Sequence, residues 1–423
     1  MTPPETTHNR ALAIATVVFF LWGLLTSLND ILIPHFQTVF ALNYTISLLV
    51  QSAFFGAYFV MSVPAGWLIG RVGYQRGMAA GLVVAGIGAL MFWPAAALPS
   101  YPLFLAALFV LASGITTLQV AANPYVGLLG PVRLAPSRLN LAQAMNSLGH
   151  TIGPKLGAVL IFSGVALGAA ELAQLPPAEA AAYQHAQARA LQLPYLGLAA
   201  VLFALGAIMF CLRLPGMMDR SPEAVAARPR LGDLIAHPGL RYAVLAIFVY
   251  VGVEVAIGSL LINYLGLAHV AGLGHDAAAI YVTYYWGGAM VGRFIGFALL
   301  RVVAPGRLLG IFAIAAMSLV LVSVASGSQV ALWSMVAVGL FNSVMFPTIF
   351  SLGIRGMGSA TSTASSLLVM AIVGGALVPL AQGALADLFG LRWSFLLPAA
   401  GYLYILFFGF VGSRRCQDAE PAR

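Results

Sequence analysis

The chain alternates between long apolar runs and short polar connections. Twelve runs reach about 20 residues or more, the length that a helix needs to cross a ~30 Å hydrocarbon core. They lie near 12–36, 46–70, 77–97, 101–129, 139–163, 192–213, 242–266, 277–301, 307–325, 329–353, 360–386 and 393–413. This pattern predicts twelve transmembrane helices. The first run is too long for the apolar region of a signal peptide, so we expect it to be retained.

The composition also predicts an integral membrane protein. The 423 residues are 61% hydrophobic and 8% charged, with a mean hydropathy of +0.96, whereas soluble domains are roughly 25% charged. The lipid bilayer is therefore a predicted partner. The two cysteines, Cys211 and Cys416, lie at a helix end and in the tail. Their positions indicate neither a disulfide framework nor a metal site.

The net charge of +8 is distributed as a topology signal. Of the 20 Arg and Lys residues, sixteen fall in alternate connections and the two tails, and only Arg189 and Arg392 fall in the opposite set. By the positive-inside rule, both termini are predicted to be cytoplasmic. Because the basic residues lie in the connections on one predicted side of the membrane, their excess is explained by topology. A nucleic-acid partner is therefore not predicted.

The chain divides into two halves that repeat each other. The only long polar cytoplasmic connection separates six predicted spans from six. NPYVGLLG (123–130) matches FPTIFSLG (346–353), Gly149 and Pro154 match Gly374 and Pro379, and Gly70-Arg71 matches Gly292-Arg293, at offsets of 222–225 residues. We predict an N-terminal six-helix bundle over 1–213, a linker over 214–240, a C-terminal six-helix bundle over 241–413 and a tail over 414–423. The alternative is that short matches arise by chance in a Gly-rich apolar sequence.

Two carboxylates lie deep in predicted spans, Asp30 in the first and Glu254 in the seventh. An ionised acid at the centre of a membrane helix costs about 2.5–3.5 kcal/mol, so each of these side chains needs a reason. Desolvation penalises the charged form of a carboxylate, and a change in exposure can therefore load or release a proton. Both acids are predicted to carry a coupling ion in an alternating-access carrier. For Glu254 the alternative is a structural salt bridge to a buried cation such as Arg293 or Lys155.

Polar side chains recur at three- and four-residue steps in the first, fourth and fifth spans, so they share helix faces. Asn and Gln offer both a donor and an acceptor without adding charge, which suits the hydroxyl groups of a neutral sugar. Aromatic faces complement the C–H face of a pyranose. The predicted sugar-binding residues are Asn29, Gln51, Gln119, Asn123, Asn140, Gln143, Asn146, Asn342, Trp22 and Trp286. The alternatives are interhelical hydrogen bonding for the amides and core packing for the rings.

Five motifs follow one another along the chain: LWGLLTSLNDILIPHF, QSAFFGAYFVMSVPAGWLIGR, LQVAANPYVGLLGP, SRLNLAQAMNSLG and MFPTIFSLGI. Together they make the sequence resemble the fucose–galactose–glucose:proton symporter family of the major facilitator superfamily over nearly its whole length. The resemblance implies an all-α membrane protein of two pseudo-symmetric six-helix bundles. It also implies uptake of a hexose across a bacterial inner membrane, with Asp30 of the LND segment as a coupling residue.

The sequence departs from the fucose permeases of that family at one acid. Those proteins carry a segment of the form LETAANPF in the fourth span, whereas this chain has LQVAANPY, so Gln119 replaces the acid. Glu254 lies in YVGVEVAIGS, which resembles the glucose/galactose branch of the family. We infer that the second carboxylate has moved from the fourth span to the seventh, which makes fucose a less favoured substrate.

These observations predict a secondary active transporter that imports a neutral, glucose- or galactose-like hexose, coupled to a cation gradient, with H⁺ favoured. The alternatives are Na⁺ coupling, transport of N-acetylglucosamine or fucose, and uncoupled facilitation. No catalytic constellation is evident near the ends of the spans, so an enzyme is not predicted. No cofactor and no bound metal are predicted, and a monomer is expected.

Overall fold

The computed structural model of the protein describes residues 5–40, 49–161, 174–212, 214–216 and 231–417. Within these ranges all regular secondary structure is helical. The first half contains α1 (Glu5–Phe40), α2 (Leu49–Val72), α3 (Tyr74–Ala97), α4 (Tyr101–Leu128), α5 (Ala135–Ile161), α6 (Pro177–Ala190) and α7 (Gln192–Cys211), with a 3₁₀ turn at Val132–Leu134.

The second half is divided into more pieces. It contains α8 (Leu231–Ala236), α9 (Pro238–Leu265), α10 (His275–Leu299), α11 (Pro305–Ala325), α12 (Ser328–Asn342), α13 (Met345–Gly353), α14 (Thr361–Met370), α15 (Gly374–Phe389), α16 (Leu391–Ser394), α17 (Leu396–Phe407) and α18 (Ser413–Gln417). The 3₁₀ turns Gly358–Ala360 and Ala371–Val373 precede and follow α14, and a π-turn at Phe408–Gly412 joins α17 to α18.

A helix or a chain of short helices occupies each of the twelve predicted apolar runs. In the part of the chain that the structure describes, ten helices are long and apolar enough to cross a membrane. The other two runs form α5 and α10, whose sequences carry several polar residues inside the helix. The all-helical fold is therefore confirmed, whereas the twelve crossings, the cytoplasmic termini and the bundle boundaries stay predictions.

Glycine and proline mark where the helices begin and end. Pro238 and Pro305 are at the first turns of α9 and α11, where a missing backbone N–H costs nothing and the fixed φ suits the helix. Gly73 separates α2 from α3 with a φ of 86°, and Gly390 separates α15 from α16 with a φ of 89°. Glycine adopts this left-handed conformation without strain, so the chain can reverse direction within one residue.

The two halves meet along two seams, which the sequence repeat relates to each other. In one seam α5 of the first half packs against α10 of the second, and in the other α2 packs against α14. An offset of about 225 residues superimposes the α2 segment on α10 and the α5 segment on the region of α14 and α15. The seams are therefore equivalent by pseudo-symmetry, as two repeated bundles require.

Within each half, one repeated glycine allows two helices to touch backbone to backbone. A Cβ atom at Gly149 of α5 would overlap the carbonyl oxygen of Phe20 in α1. A Cβ atom at the equivalent Gly374 of α15 would overlap the carbonyl oxygen of Phe248 in α9. The sequence match between these glycines thus corresponds to the same close approach in both halves, as small residues allow at membrane helix interfaces.

Alanine substitution in α15 tests this close approach. Gly374→Ala is expected to lower the stability by about 1–3 kcal/mol, because the added methyl group forces α9 and α15 apart. The measurement is the thermal unfolding midpoint of the purified protein in detergent.

Gly383→Ala in the same helix is the matched control, because a Cβ atom at Gly383 meets no atom within 4 Å. This substitution is expected to leave the midpoint unchanged or to raise it, since alanine favours helix over glycine. Equal midpoints for the two variants would contradict the proposed contact.

Candidate functional site

A cavity of about 360 Å³ lies between the two halves. This volume is within the 300–1,000 Å³ range of sites for small ligands. The first half contributes side chains of α1, α2, α4 and α5, and the second half contributes side chains of α9 and α10 together with Phe346 and Ile372. The polar residues of the wall are Thr26, Gln51, Tyr58, Gln119, Gln143, Asn146, Ser147, His150, Thr151, Glu254, Ser259 and Arg293.

The cavity opens toward the predicted outer side of the membrane. Thr151 and Ser259 are the exposed polar residues of its wall. Each lies between the centre of its helix, α5 or α9, and the predicted outer end of that helix. Toward the predicted cytoplasmic side the halves are joined by hydrogen bonds. Ser137 Oγ donates to the Phe297 carbonyl at 2.7 Å. The site is therefore accessible from one side and closed on the other.

Two prolines supply carbonyl oxygens to this closed region. Pro124 and Pro347 lack the N–H that would pair with the carbonyls of Val120 and Ser343, four residues earlier. Ser365 Oγ, from the second half, donates to the Val120 carbonyl at 2.9 Å. Arg293 Nε donates to the Ser343 carbonyl at 3.4 Å. The repeated prolines thus create acceptors that side chains of other helices satisfy.

The amides of α4 and α5 that line the cavity each contact a different polar group. Gln119 Nε2 donates to Tyr58 Oη, Gln143 Nε2 approaches Asn123 Oδ1 at 3.5 Å, and Asn146 Nδ2 donates to the Phe19 carbonyl at 3.1 Å. Oε1 of Gln119 accepts no hydrogen bond within the described part of the chain. A buried acceptor without a partner in a cavity wall suits a ligand that donates a hydroxyl proton.

Three of the predicted sugar-binding amides lie behind the wall. Asn123 is fully buried and reaches Gln143. Asn140 is also buried, and its Nδ2 donates to the Arg293 carbonyl at 2.6 Å across the seam. Asn342 donates to Tyr285 Oη at 2.8 Å and accepts from Tyr402 Oη at 2.6 Å. None of the three lines the cavity, so their placement favours the alternative of interhelical hydrogen bonding.

The other predicted sugar-binding residues are placed differently. Gln51, Gln119, Gln143, Asn146, Trp22 and Trp286 line the cavity. The side chains of Asn29 and Asp30 lie outside the described part of the structure. Asp30, the first predicted coupling acid, therefore keeps the status of a prediction.

Aromatic rings border the cavity on both halves. Trp22 of α1 packs against Phe19, with ring centroids 5.2 Å apart. Trp286 of α10 packs edge to face against the buried Tyr285 at 5.2 Å, and His150 of α5 lies 5.8 Å from the Trp286 ring. Each indole packs against a neighbouring ring and also lines the cavity. Packing is therefore observed, whereas contact with a sugar stays a prediction.

The second predicted acid, Glu254, lines the cavity next to a cation. Arg293 Nη2 lies 4.0 Å from Glu254 Oε1, and the two side chains are 12% and 13% exposed. Nη1 of the same arginine donates to the Gln143 carbonyl at 3.4 Å and to Ser147 Oγ. Arg293 therefore faces a carboxylate of its own half and hydrogen-bonds to α5 of the other half. Both readings of Glu254, cavity acid and salt-bridge partner, describe part of this arrangement.

Arg293 was missed as a candidate site residue in the sequence. Its repeat partner Arg71 is exposed and stacks on Trp67, with the guanidinium carbon 3.7 Å from the ring centroid. The signal that could have identified Arg293 is its depth in the helix. α2 ends at Val72, directly after Arg71, whereas α10 continues beyond Arg293 to Leu299. An arginine six residues inside a membrane helix marks a functional site by default.

Comparisons with known proteins agree with this geometry. The sequence profile of the Major Facilitator Superfamily matches residues 14–372. The chain is 49% identical to the glucose/galactose transporter of Brucella abortus over 98% of its length and 96% of that protein. It is 37% identical to the L-fucose-proton symporter of Escherichia coli K12, covering 94% of this chain and 91% of the relative.

A solved structure shares the fold closely. It is described as a Major Facilitator Superfamily transporter, FucP, in the outward conformation. The TM-score is 0.88 at 36% identity, and the match covers 95% of this chain and 98% of that chain. A proton:xylose symporter, XylE, has a TM-score of 0.69 at 15% identity, which shows a common fold alone.

Cysteine labelling tests the direction in which the cavity opens. In a Cys211→Ser/Cys416→Ser background, Ser259→Cys is expected to react with a membrane-impermeant thiol reagent added to intact cells, because Ser259 is exposed in the cavity wall. Ser365→Cys is the control, since Ser365 is fully buried at the seam. Labelling of Ser365→Cys but not Ser259→Cys would contradict this orientation.

Proposed function

The chain belongs to the major facilitator superfamily as a sugar transporter, and from this premise we propose that it imports a neutral hexose of the glucose/galactose type together with protons. The proposal rests chiefly on one observation. The cavity brings amides of the first half together with Glu254 and Arg293 of the second. Because the relatives are bacterial, we place the transporter in a bacterial inner membrane.

The charge balance of the cavity favours a neutral substrate. Glu254 and Arg293 face each other, so their charges cancel within the wall. The remaining polar groups of the described wall are amides, hydroxyls and the imidazole of His150, and they include the unpartnered acceptor of Gln119. Such groups can donate hydrogen bonds to sugar hydroxyls and accept hydrogen bonds from them, and they require no counter-ion. A charged substrate would have to compete with the existing pair.

The geometry also favours a proton over a sodium ion. A metal cation needs several oxygen ligands and no nearby positive charge, whereas a proton needs a single carboxylate oxygen. Among the described residues of the wall, Glu254 is the sole acid, and the Arg293 guanidinium lies 4.0 Å from it. A cation bound to Glu254 would be repelled by that guanidinium, while protonation of Glu254 simply ends the ion pair.

Protonation of Glu254 would change how Arg293 connects the halves. Two unit charges 4 Å apart attract by about 4 kcal/mol at an effective dielectric constant of 20. A charge-assisted hydrogen bond contributes about 1.5–3 kcal/mol, so the carboxylate competes with the bonds from Arg293 to Gln143 and Ser147. The protonation state of Glu254 can therefore alter the strength of the contact between α5 and α10. We propose this exchange of partners as the link between the proton and alternating access.

Removal of the free amide acceptor should weaken sugar binding. Gln119→Leu is expected to raise the half-saturating concentration of glucose or galactose about tenfold or more, because a buried hydrogen bond to the sugar is lost. The measurement is counterflow of labelled hexose in proteoliposomes.

Gln382→Leu is the matched control for this variant. Gln382 is a buried amide of α15 that contacts Ser394 and does not line the cavity. It should leave the affinity for sugar unchanged. If Gln119→Leu behaved like the control, the cavity amide would have no role in recognition.

Neutralisation of the acids should separate exchange from accumulation. Glu254→Gln, and likewise Asp30→Asn, is expected to exchange sugar in counterflow but to lose accumulation. A membrane potential of 100 mV supplies about 2.3 kcal/mol per charge, so one proton per sugar supports roughly fifty-fold accumulation. The measurement is the ratio of internal to external sugar in energised vesicles.

Asp387→Asn is the control, because Asp387 is an exposed acid of α15 outside the cavity. It should accumulate sugar like the unmodified protein. Equal accumulation by the unmodified protein, Glu254→Gln and Asp30→Asn would refute coupling through these acids. Sugar exchange without accumulation by the unmodified protein would favour the uncoupled facilitator.

A further inference from the structure

A second cavity, of about 530 Å³, lies between the halves on the predicted cytoplasmic side. The first half contributes the first residue of α3, the end of α4, the turn before α5 and the start of α5. The second half contributes the first residue of α11 and residues within the segment 351–361. This cavity shares no wall residue with the sugar site. The proposed transport function therefore leaves it without a role.

One arginine from each half lies in its wall, Arg133 and Arg355. Both follow the fourth span of their half, in GPVR and GIR, and they are separated by the repeat offset of 222 residues. The described wall contains no Asp or Glu. Two like charges thus face one cavity from opposite halves without an acidic partner in that wall.

The guanidinium of Arg355 is incompletely satisfied. Its Nε atom is buried and donates no hydrogen bond within the described part of the chain. Arg138, a neighbour in the first half, shows the contrasting case. Its three guanidinium nitrogens donate to the carbonyls of Val126, Pro131 and Gly127. A buried guanidinium N–H without an acceptor costs free energy, which a bound oxyanion would recover.

Helix ends add to the positive potential of this cavity. The helices α3, α5, α11 and α14 begin in its wall, whereas α4 and α13 end there, so positive helix ends outnumber negative ones. Each end carries a partial charge of about half a unit. The two arginines and these helix ends together give the cavity a net positive charge.

We propose that this cavity binds a phosphate monoester group, held by Arg133 and Arg355 from opposite halves. Arginine recognises phosphate oxygens through pairs of parallel N–H donors, which makes phosphate the anion that best fits two guanidinium groups. The volume exceeds that of one phosphate group and leaves room for an organic part. The source is either a small phosphorylated molecule of the cytoplasm or the headgroup of an anionic lipid.

Such a ligand would strengthen the closed arrangement of the halves on this side. Without an anion, Arg133 and Arg355 carry like charges in one wall, and no acidic residue of that wall draws them together. With one, both are attracted to the same group, which bridges the halves. The effect on transport rests on the proposed alternating-access function, because the bridge would slow opening on the cytoplasmic side. Binding itself does not depend on that function.

Binding is tested on the purified full-length protein in a neutral detergent, with glycerol 3-phosphate as the probe and glycerol as the uncharged control. Glycerol 3-phosphate is expected to raise the thermal unfolding midpoint in a saturable manner. Arg133→Gln and Arg355→Gln should each weaken this binding about tenfold. Arg307→Gln is the matched control, because Arg307 is exposed near the start of α11 and lies outside the cavity wall. It should keep the full effect.

Reconstituted vesicles distinguish the two sources of phosphate. In phosphatidylcholine vesicles, glycerol 3-phosphate on both faces is expected to slow hexose exchange if the ligand is a free phosphorylated molecule. Inclusion of phosphatidate in the membrane should slow exchange if the ligand is a lipid headgroup. Either effect supports the site when Arg133→Gln and Arg355→Gln remove it.

Three results would overturn the proposal. One is the lack of any effect of both glycerol 3-phosphate and phosphatidate on the unmodified protein. Another is an effect of the phosphate ligand in Arg133→Gln and Arg355→Gln that equals its effect on the unmodified protein. The third is binding that occurs only after Asp418→Asn and Glu420→Gln, which would assign the arginines to carboxylates of the chain itself. A protein that binds the probe but transports no sugar would refute the proposed function and leave this site intact.

Discussion

The arrangement of the protein depends on the cost of leaving backbone and polar groups unpaired in a low-dielectric interior. The prolines of the repeat, Pro124 and Pro347, each free a carbonyl four residues earlier. The freed carbonyl of Val120 accepts from Ser365 of the other half, and that of Ser343 accepts from Arg293. The prolines within α4 and α13 therefore supply the acceptors that tie neighbouring helices together.

The closest approaches of one helix backbone to another described above lie within the halves. Inside a half, Gly149 and Gly374 allow helix backbones to touch, and close packing of this type leaves little freedom to slide. Between the halves, side chains such as Ser137 and Asn140 donate single hydrogen bonds to carbonyls. Each such bond contributes only about 1 kcal/mol net and can be exchanged for a bond to water. This contrast suits rigid halves that separate along their seams, as the proposed cycle requires.

The sequence predicted the helices well, because long apolar runs alternate with short polar connections. It also placed several polar residues beside the observed cavity, and their role in sugar binding stays a prediction. The polar stripes correctly indicated that Gln119, Gln143 and Asn146 face a cavity. They also included Asn123 and Asn140, which lie behind it. Periodicity assigns a residue to a face of a helix, but the depth of that face depends on which neighbour packs there. The double role of Arg293 could not be predicted for the same reason, since its partners Gln143 and Ser147 come from the other half.

The two halves contribute different chemistry to one cavity although their sequences repeat each other. The Gly-Arg pair is present in both, yet Arg71 stacks on an exposed Trp67 at the end of α2 while Arg293 lies inside α10. α2 ends one residue after Arg71, whereas α10 continues for six residues beyond Arg293, so the second arginine lies within its helix. Glu254 lies 4.0 Å from Arg293, and the first half contributes the amides of α4 and α5. Because the charged pair and the amides are carried by different halves, relative movement of the halves changes the surroundings of both together. The proposed coupling of a proton to a neutral solute has this physical requirement.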